Sequence, residues 1–386
     1  MADVDSATCP RRPGHGPALA VVTPTHGRAA LVAGMLASLQ GARAGTGTEV
    51  EVLVVDSSGP AEAAHIAQAC HGTGARYLRG PLSVRAKRNL GVRNTCAPVV
   101  LFLDSDCRAD PDLLREHLAV WTGAGATMAG ASGLTRFVGE PNWVWRIAEH
   151  TPFLDAFGFA ERFPGVQWAV TNNLSFSRTV LEQLGGFDEG LPYRLGWDDI
   201  DLCLRATRGG YYILTAPHAV VYHEKATWNS LGGLVSRAWR WGRLRFWALR
   251  KHPWLKRTDP PKQSAMTLVA AGLLGAAALT RHTWWPLALL ALWVPLTGLL
   301  LAATRALSHR WTLRDLGDEW AAEGLMSLHD LATGLEALRH GSPVWLFQRL
   351  IFSDGHLEGE YAGEVLRSWA HIAMLGLTGL ALWLTR

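Results

Sequence analysis

Two aspartates and one histidine in the first 225 residues could hold a divalent cation. Asp104 and Asp106 stand two residues apart, directly after the apolar run Val99–Leu103. Carboxylates at this spacing can converge on a hard cation whose remaining ligands come from a diphosphate. The same pattern also occurs as turn or cap chemistry, so the pair is weak evidence by itself. His223, in the strand-like segment VVYHEK, could complete a metal shell begun by Asp106, although a lone histidine is more often structural.

A second acidic group, between Trp197 and Arg205, could move a proton. Its sequence is WDDIDLCLR, with carboxylates at Asp198, Asp199 and Asp201. The intervening apolar residues predict a helix packed on the core, and acidic residues at a helix start satisfy capping and dipole preferences. Three carboxylates in four residues exceed what a cap needs. A carboxylate beside a metal-bound diphosphate could remove the proton of an acceptor hydroxyl.

Three apolar runs predict the buried parallel strands that position these groups. They are Ala18–Val22, Val50–Val55 and Val99–Leu103, and they end in Thr23-Pro24-Thr25, Asp56-Ser57-Ser58 and Asp104-Ser105-Asp106. Helical patterns lie between them, at Arg28–Gln40, Ala61–Ala69 and Ser83–Arg93. Because ligands of open α/β sheets bind beyond the carboxyl ends of the strands, the three polar clusters predict one shared site.

The composition excludes disorder as the dominant state. The chain has 386 residues, of which 48% are apolar and only 18% charged, so there is length for a catalytic domain and more. Five cysteines with no CxxC spacing make a zinc cage or a disulfide framework improbable. Residues 1–17 predict a flexible tail rather than an ordinary signal peptide, and hence a domain that folds in the cytosol with free thiols.

The net charge of +4 hides a strongly basic band. Nine Lys and Arg but no acidic residue lie between Lys225 and Arg257, and 13 of the 18 tryptophans lie at Trp228 or later. Arginine mixed with tryptophan is typical of a helix at a membrane surface, so we expect an interfacial helix at 231–262 and no nucleic-acid partner.

Uncharged runs predict membrane segments after this band. Ser264–Thr280 and Thr283–Thr304 would form a transmembrane hairpin at 263–305, and Ser368–Thr385 a membrane helix at 367–386. Buried core helices are the alternative for each run. The region 306–366 carries leucines at helical spacing and could lie on the membrane or dock on the catalytic half. If the hairpin spans, the basic band lies on the cytosolic side.

A series of ordered motifs over Ala18–His223 resembles glycosyltransferase family 2, the inverting, nucleotide-sugar-dependent enzymes with a GT-A fold. Besides the strand ends, the acidic segment and His223, they are VVTPTHGR at Val21–Arg28, RAKRNLG at Arg85–Gly91, NNLSFSR at Asn172–Arg178 and GGFDE at Gly185–Glu189. The resemblance implies an α/β catalytic domain at 18–230, a mostly parallel sheet flanked by helices. A mainly α-helical, membrane-associated region would follow it.

The same resemblance implies roles for individual residues. Asp199 would be the general base, with Asp198 orienting the acceptor, although the family often has Glu at the position of Asp198. Asp106 and His223 would hold Mn²⁺ or Mg²⁺. The nucleotide sugar would be bound by Thr23, Pro24, Thr25, Arg28, Asp56, Arg85, Asn89, Asp104, Ser105, Asn173, Gly186 and Trp197.

The sequence therefore predicts a glycosyltransferase at the cell membrane, with its catalytic domain in the cytoplasm. The acceptor would be lipid-linked or otherwise amphiphilic, because the motifs directly precede the basic band. A soluble small-molecule acceptor is an alternative, as is a nucleotide-sugar-binding protein without turnover that serves an envelope assembly. Processive synthesis is disfavoured, since the Q-x-x-R-W motif is missing.

Overall fold

The computed structural model describes residues 17–191, 196–257, 262–308, 312–350 and 358–385. The chain divides into two compact units. The α/β unit comprises the chain up to Gly139 together with Asp155–Glu224, and the helical unit comprises Glu140–Leu154 together with the chain from Lys225 onward. The predicted tail, apart from Pro17, lies outside the described residues. The segment Glu140–Leu154, which we place in the catalytic domain from sequence, belongs to the helical unit.

The described residues form the following strands and helices. The strands are β1 Leu19–Thr25, β2 Val50–Asp56, β3 Arg76–Arg79, β4 Val99–Leu103, β5 Cys107–Ala109, β6 Met128–Val138, β7 Gly165–Val166, β8 Asn173–Ser177, β9 Tyr212–Glu224, β10 Lys256–Arg257 and β11 Arg349–Leu350. The helices are α1 Ala29–Ala44, α2 Pro60–Thr73, α3 Val84–Arg93, α4 Leu113–Trp121, α5 Trp143–Glu149, α6 Phe159–Arg162, α7 Arg178–Gln183, α8 Asp198–Arg208, α9 Leu231–Lys251, α10 Gln263–Arg281, α11 Trp285–Ala291, α12 Trp293–Ser308, α13 Leu313–Arg339 and α14 Glu358–Leu384.

The α/β unit is built on one mixed sheet with the strand order β3-β2-β1-β4-β8-β6-β9-β5, and β7 pairs with β9. The first four strands in this order are parallel; the apolar runs predict β1, β2 and β4 but not β3. Strand β8 runs antiparallel to both β4 and β6. Strands β1 and β4 are buried along their whole length, which explains their continuous apolar sequence. The three predicted helices are present as α1, α2 and α3, with ends that shift by a few residues.

Cys9 lies outside the described residues, and one of the other four cysteines differs from the expectation. Cys70, Cys107 and Cys203 are buried free thiols, as expected of a reduced protein. Cys96 is disulfide-bonded, so the expectation of free thiols is wrong for this residue. Sequence spacing could not show this, because pairing depends on tertiary proximity.

Helix α13 organises the helical unit through a buried acidic face. Its carboxylates bind basic groups from different parts of the unit, so each buried charge is paired, as a dry interior requires. The pairs are Asp318 with Arg146, Glu319 with His150 and Arg305, Glu323 with Arg305 and Arg367, Asp330 with Lys262, and Glu336 with Arg243. The amphipathic helix predicted here exists, and its polar side is mostly buried rather than solvated.

Helices α9 and α13 approach closely at Gly242. The hydroxyl of Thr333 donates to the Gly242 carbonyl at 2.7 Å, and a Cβ on Gly242 would collide with the carbonyl oxygen of His329. We expect Gly242→Ala to lower the free energy of unfolding by about 1–3 kcal/mol, because the helices must separate to admit the methyl group. Gly232→Ala is the matched control, since it lies in the same helix with nothing within 4 Å of its Cβ position. Equal denaturant midpoints for the two variants would contradict the prediction.

The second uncharged run is not one straight helix. It forms α11 and α12, which meet at Leu292 with a bend of 55°. Pro295 explains the break, because it lacks an N–H and its ring clashes with the carbonyl four residues earlier, that of Ala291. The run Thr283–Thr304, predicted as the second half of a transmembrane hairpin, therefore does not form one continuous helix. Among the residues that the structure describes, the helices long and apolar enough to cross a membrane are Gln263–Arg281 and Val365–Leu384, with the bent pair as a third candidate.

Candidate functional site

The carboxyl end of β4 carries the residues that make up the candidate site. Ser105 is buried, whereas Asp104 and Asp106 are partly exposed. Asp106 directly precedes β5, whose first residue, Cys107, is paired with His223 on β9. As a result, Nε2 of His223 lies 3.5 Å from Oδ1 of Asp106. The structure thus brings together the two metal ligands that the sequence predicts.

The donor atoms near Asp106 suit a divalent cation. Ligand atoms of Asp106, Cys107 and His223 all lie within 4.8 Å of one another. Nδ1 of His223 lies 3.2 Å from the carbonyl oxygen of Glu224. The tautomer that donates from Nδ1 to this carbonyl leaves the Nε2 lone pair directed at Asp106, which is the arrangement of a metal-binding histidine. Burial raises the pKa of the Cys107 thiol well above its usual range, so the thiol is neutral.

A guanidinium occupies the place beside Asp106 where a cation would bind. Nη1 of Arg28 donates to Oδ2 of Asp106 at 2.8 Å. Arg28 has the left-handed backbone conformation, with φ of 66°, at the N-terminus of α1. This conformation costs a non-glycine residue about 1–3 kcal/mol and is common at ligand sites. This ion pair shows that the Asp106 carboxylate binds a positive charge in the described structure.

We expect Arg28→Ala to strengthen Mn²⁺ binding in the absence of nucleotide by about two- to fivefold, because the ion no longer competes with an ion pair of this exposure. Isothermal titration calorimetry measures the change. Arg108→Ala is the control, since Arg108 is similarly exposed and pairs with Glu224, at 2.7 Å, instead of Asp106. Unchanged or weaker Mn²⁺ binding in the Arg28 variant would show that the ion and the guanidinium do not share Asp106.

The acidic pair lies at the N-terminus of α8 and is joined to β4 by Arg88. Nη2 of Arg88 lies 3.2 Å from Oδ1 of Asp104, and Nη1 makes a short ion pair with Oδ2 of Asp198. Arg88 and Asp198 are both buried. Trp197 precedes them with φ of 65°, a second left-handed residue at a helix start. One buried cation therefore unites the two acidic motifs into a single site.

Arg88 is a site residue that the sequence analysis missed. It lies in the RAKRN motif, between Arg85 and Asn89, which were selected instead. The spacing could have identified Arg88, because Arg85 and Arg88 are three residues apart and therefore lie on the same face of a helix. Arg85 does lie beside it: its guanidinium donates to the carbonyls of Leu191 and Gly196, at 3.0 and 2.7 Å. Arg85 thus holds the chain just before α8.

Asp199 has the electrostatics of a base that works near neutral pH. Burial and the charge of Asp198 raise its pKa, while the guanidinium of Arg88 and a hydrogen bond from the Ile200 amide lower it, with a result of about 7. Burial also raises the pKa of Asp104, against the opposing charge of Arg88. A carboxylate with a pKa near the working pH exchanges protons efficiently.

Asp56 is at the predicted strand end but is enclosed by protein groups. Its side chain is 0% exposed. One oxygen accepts from the amide and hydroxyl of Ser58, and the other accepts from the Tyr77 hydroxyl at 2.9 Å and from Arg79 at 3.1 Å. Burial alone would raise the pKa of Asp56, but these hydrogen bonds and the charge of Arg79 outweigh it and lower the pKa. A nucleobase could bind the Asp56 carboxylate only if one of these donors moved away.

Strand β1 contributes backbone more than side chains to this end of the sheet. Thr23, Pro24 and Thr25 are all buried within the strand. The ammonium group of Lys87 donates to the Thr25 carbonyl at 2.5 Å, and burial lowers the pKa of Lys87 to about 8. The predicted contacts of these three residues with a nucleotide remain a prediction.

The Asn89 side chain binds the backbone of Phe187, the residue that follows Gly186. The Asn89 side chain accepts from the Phe187 amide and donates to the Phe187 carbonyl, each at 2.8 Å. Gly186 has φ of +70°, and a Cβ there would lie 2.5 Å from Oδ1 of Asn89. The invading side chain would break this tether, so glycine is required for packing in the described structure.

Asn173 lies inside the sheet. Its amide donates to the carbonyls of Leu134 and Ala219, at 3.1 and 2.8 Å, and its oxygen lies 2.8 Å from Nε2 of His117. All its polar atoms therefore join β8 to neighbouring strands and to α4. The role we predict for it in sugar binding has no support from these contacts.

Similarities to known proteins bear on the family and on the fold. Residues 20–185 match the model of a family described as glycosyl transferase family 2. Galactofuranosyltransferase GlfT2 of Mycobacterium tuberculosis is 27% identical over 39% of this chain, and the match spans only 29% of that relative's length. The solved mannosyltransferase PcManGT from Pyrobaculum calidifontis, in complex with GDP-Man and Mn²⁺, is 20% identical with a TM-score of 0.50, over 83% of this chain and 88% of that one. The structural similarity shows a shared GT-A-like fold.

Proposed function

Because residues 20–185 belong to glycosyltransferase family 2, we propose that this glycosyltransferase moves a sugar from a nucleoside diphosphate to an acceptor hydroxyl, with inversion at the anomeric carbon. The observation that supports this proposal most directly is the network of ion pairs that links Asp104, Arg88 and Asp198, which Asp199 directly follows in the chain. Because Asp104 stands two residues before Asp106, this network supports a proposed site in which Asp199 serves as proton acceptor beside a bound cation and diphosphate.

Asp199 acts as the general base in this proposal. It takes the acceptor's hydroxyl proton while the oxygen attacks the anomeric carbon from the face opposite the leaving diphosphate. Arg88 pairs with Asp198 and fixes the N-terminus of α8, so the base approaches from a defined direction. A single displacement inverts the anomeric centre. It has no glycosyl-enzyme intermediate, in contrast to retaining enzymes with two carboxylates.

Asp106 and His223 would hold Mn²⁺ or Mg²⁺. When bound, such a cation neutralises charge that develops on the departing diphosphate. Arg28, released from Asp106, carries its own positive charge to the same diphosphate. The Mn²⁺ complex of the mannosyltransferase with a similar fold supports this assignment.

The pH dependence of turnover follows from the pKa of Asp199, about 7. Below this pH the carboxyl is protonated and cannot act as a base, so we expect kcat to fall about tenfold for each unit of acidification. Asp198→Asn removes a negative charge that raises this pKa, so the acidic limb should move to lower pH. Profiles of kcat at saturating donor and acceptor test both statements. An acidic limb that stays in place would contradict the coupling between the two carboxylates.

We propose a lipid-linked or otherwise amphiphilic acceptor at the cytoplasmic face of the cell membrane. The helices at Gln263–Arg281 and Val365–Leu384 support membrane attachment by their length and apolar composition. Helix α9 adds an interfacial composition: Arg237 stacks on Trp228 at 4.1 Å, and Arg250 lies 5.5 Å from the ring of Trp247. A soluble acceptor with the membrane as an anchor is the second candidate.

Two measurements test the proposed function. A thermal-shift series of nucleotide sugars with Mn²⁺, GDP-mannose included, should raise the melting temperature for the true donor, because a ligand of the native state stabilises it. Labelled donor incubated with membrane extract should then give a product that partitions into organic solvent. Label in the aqueous phase would favour the soluble acceptor, and donor binding without any transfer or hydrolysis would favour a binding protein.

A further inference from the structure

Cys107 is a third donor in the group that contains Asp106 and His223. It pairs with His223 across β5 and β9, and directly opposed residues of antiparallel strands project from the same face. Its sulfur lies within 4.8 Å of a carboxylate oxygen of Asp106 and of a ring nitrogen of His223. Small side-chain movements would therefore bring the ligand atoms of Asp106, Cys107 and His223 to the distances needed to bind one ion.

The surroundings of this sulfur suit a metal ligand. Cys107 is a free thiol and 0% exposed. Nδ2 of Asn172 lies 3.8 Å from the sulfur and could donate to a metal-bound thiolate. Oδ1 of Asn172 is buried without a hydrogen-bond partner among the described residues. The ring of Phe137 lies 5.2 Å from that of His223 and forms an apolar wall.

Sulfur changes which cation the group prefers. Mg²⁺ and Mn²⁺ favour oxygen ligands, so the thiol adds little to their binding, whereas Zn²⁺ binds thiolate, imidazole and carboxylate together. We propose that Asp106, Cys107 and His223 form a three-ligand site for thiophilic cations, and that Zn²⁺ bound there excludes the catalytic cation and inhibits the enzyme. The inference rests on the proposed function, which gives Asp106 and His223 to that cation. Formation of the zinc–sulfur bond releases the thiol proton to solvent.

The test compares metals in the full-length protein. Competition titrations should show Zn²⁺ affinity lowered by about 10–100-fold or more in Cys107→Ala and Cys107→Ser, since loss of a supporting partner alone costs that much. Mn²⁺ affinity should remain within about twofold of the original, because oxygen and nitrogen ligands are unchanged. Cys70→Ala is the matched control, as Cys70 is also a buried free thiol of the α/β unit, outside the metal group.

Co²⁺ supplies a spectroscopic test that does not depend on activity. We expect the protein and its Cys70→Ala variant to show a thiolate-to-cobalt charge-transfer band, and both Cys107 variants to lose it. Circular dichroism confirms that the variants are folded. Equal Zn²⁺ affinity in all variants, or a band that survives at Cys107→Ser, would overturn the inference while Mn²⁺ binding still stood. Asp106→Asn tests the other assignment: unchanged Mn²⁺ affinity there would contradict the proposed catalytic cation site.

Discussion

Replacing Asp199 with asparagine is expected to lower kcat by about 10²–10⁴-fold, the usual contribution of a positioned general base. The substitution preserves the shape of the side chain and its oxygen, which accepts from the Ile200 amide at 2.9 Å. Only the ability to take a proton is lost. Affinities for the donor and for Mn²⁺ should therefore stay close to their original values, so the effect should appear in kcat rather than in KM.

Asp201→Asn is the matched control for this prediction. Asp201 lies in the same first turn of α8 and is also acidic, but its carboxylate pairs with Arg205 at 3.0 Å. The control should lose stability with little change in kcat per folded molecule. Near-normal turnover in Asp199→Asn, with an unchanged pH profile, would remove Asp199 from the role of base.

Loss of the Asp106 carboxylate should affect binding as well as rate. We expect Asp106→Ala to abolish the enhancement of nucleoside diphosphate binding by Mn²⁺ and to reduce turnover by about 10²–10³-fold, the typical loss for one electrostatic contact at developing charge. Calorimetric titrations of the nucleotide with and without Mn²⁺ measure the first effect. The variant should show the same nucleotide affinity in both titrations.

Asp110→Ala provides the comparison for Asp106. Asp110 directly follows β5, and its carboxylate accepts from the Tyr222 hydroxyl at 2.9 Å rather than facing His223. It should retain the Mn²⁺ enhancement. If Asp106→Ala retains it too, the cation binds elsewhere.

Three of the four parallel strands, β1, β2 and β4, were accessible from sequence because they are almost entirely buried, unlike the partly exposed β3. Such strands are continuous apolar runs, and Val99–Leu103 begins and ends where the sequence predicts. The grouping of the acidic residues that follow these strands could also be predicted from the sequence alone, because parallel strands bring their carboxyl ends to one edge of the sheet. This reasoning located Asp104 and Asp106, and the helix-start chemistry located Asp198 and Asp199.

The hydrogen-bond and ion-pair partners of the polar side chains could not be predicted in the same way. Asp56 and Asn173 are polar and stand at the right strand positions, but other residues satisfy their hydrogen bonds. Those residues are distant in the chain, and no local pattern encodes them. Arg88 shows the converse: a charged residue in an apparently solvated helix is buried because its two carboxylate partners come from β4 and α8.

The helical unit is built from two separate stretches of the chain, Glu140–Leu154 and the chain from Lys225 onward. This limits where the protein can be truncated. Val144, Trp145 and Ile147 of α5 are buried, and the chain reaches them between β6 and β7, within the sequence that forms the sheet. A protein truncated at Glu224 to obtain a soluble catalytic fragment would keep α5 but lose α13, which supplies Asp318 to Arg146 and Glu319 to His150. In the truncated protein the apolar residues of α5 would be exposed to solvent, and the protein would tend to aggregate. A usable fragment must also replace Glu140–Leu154 with a short linker.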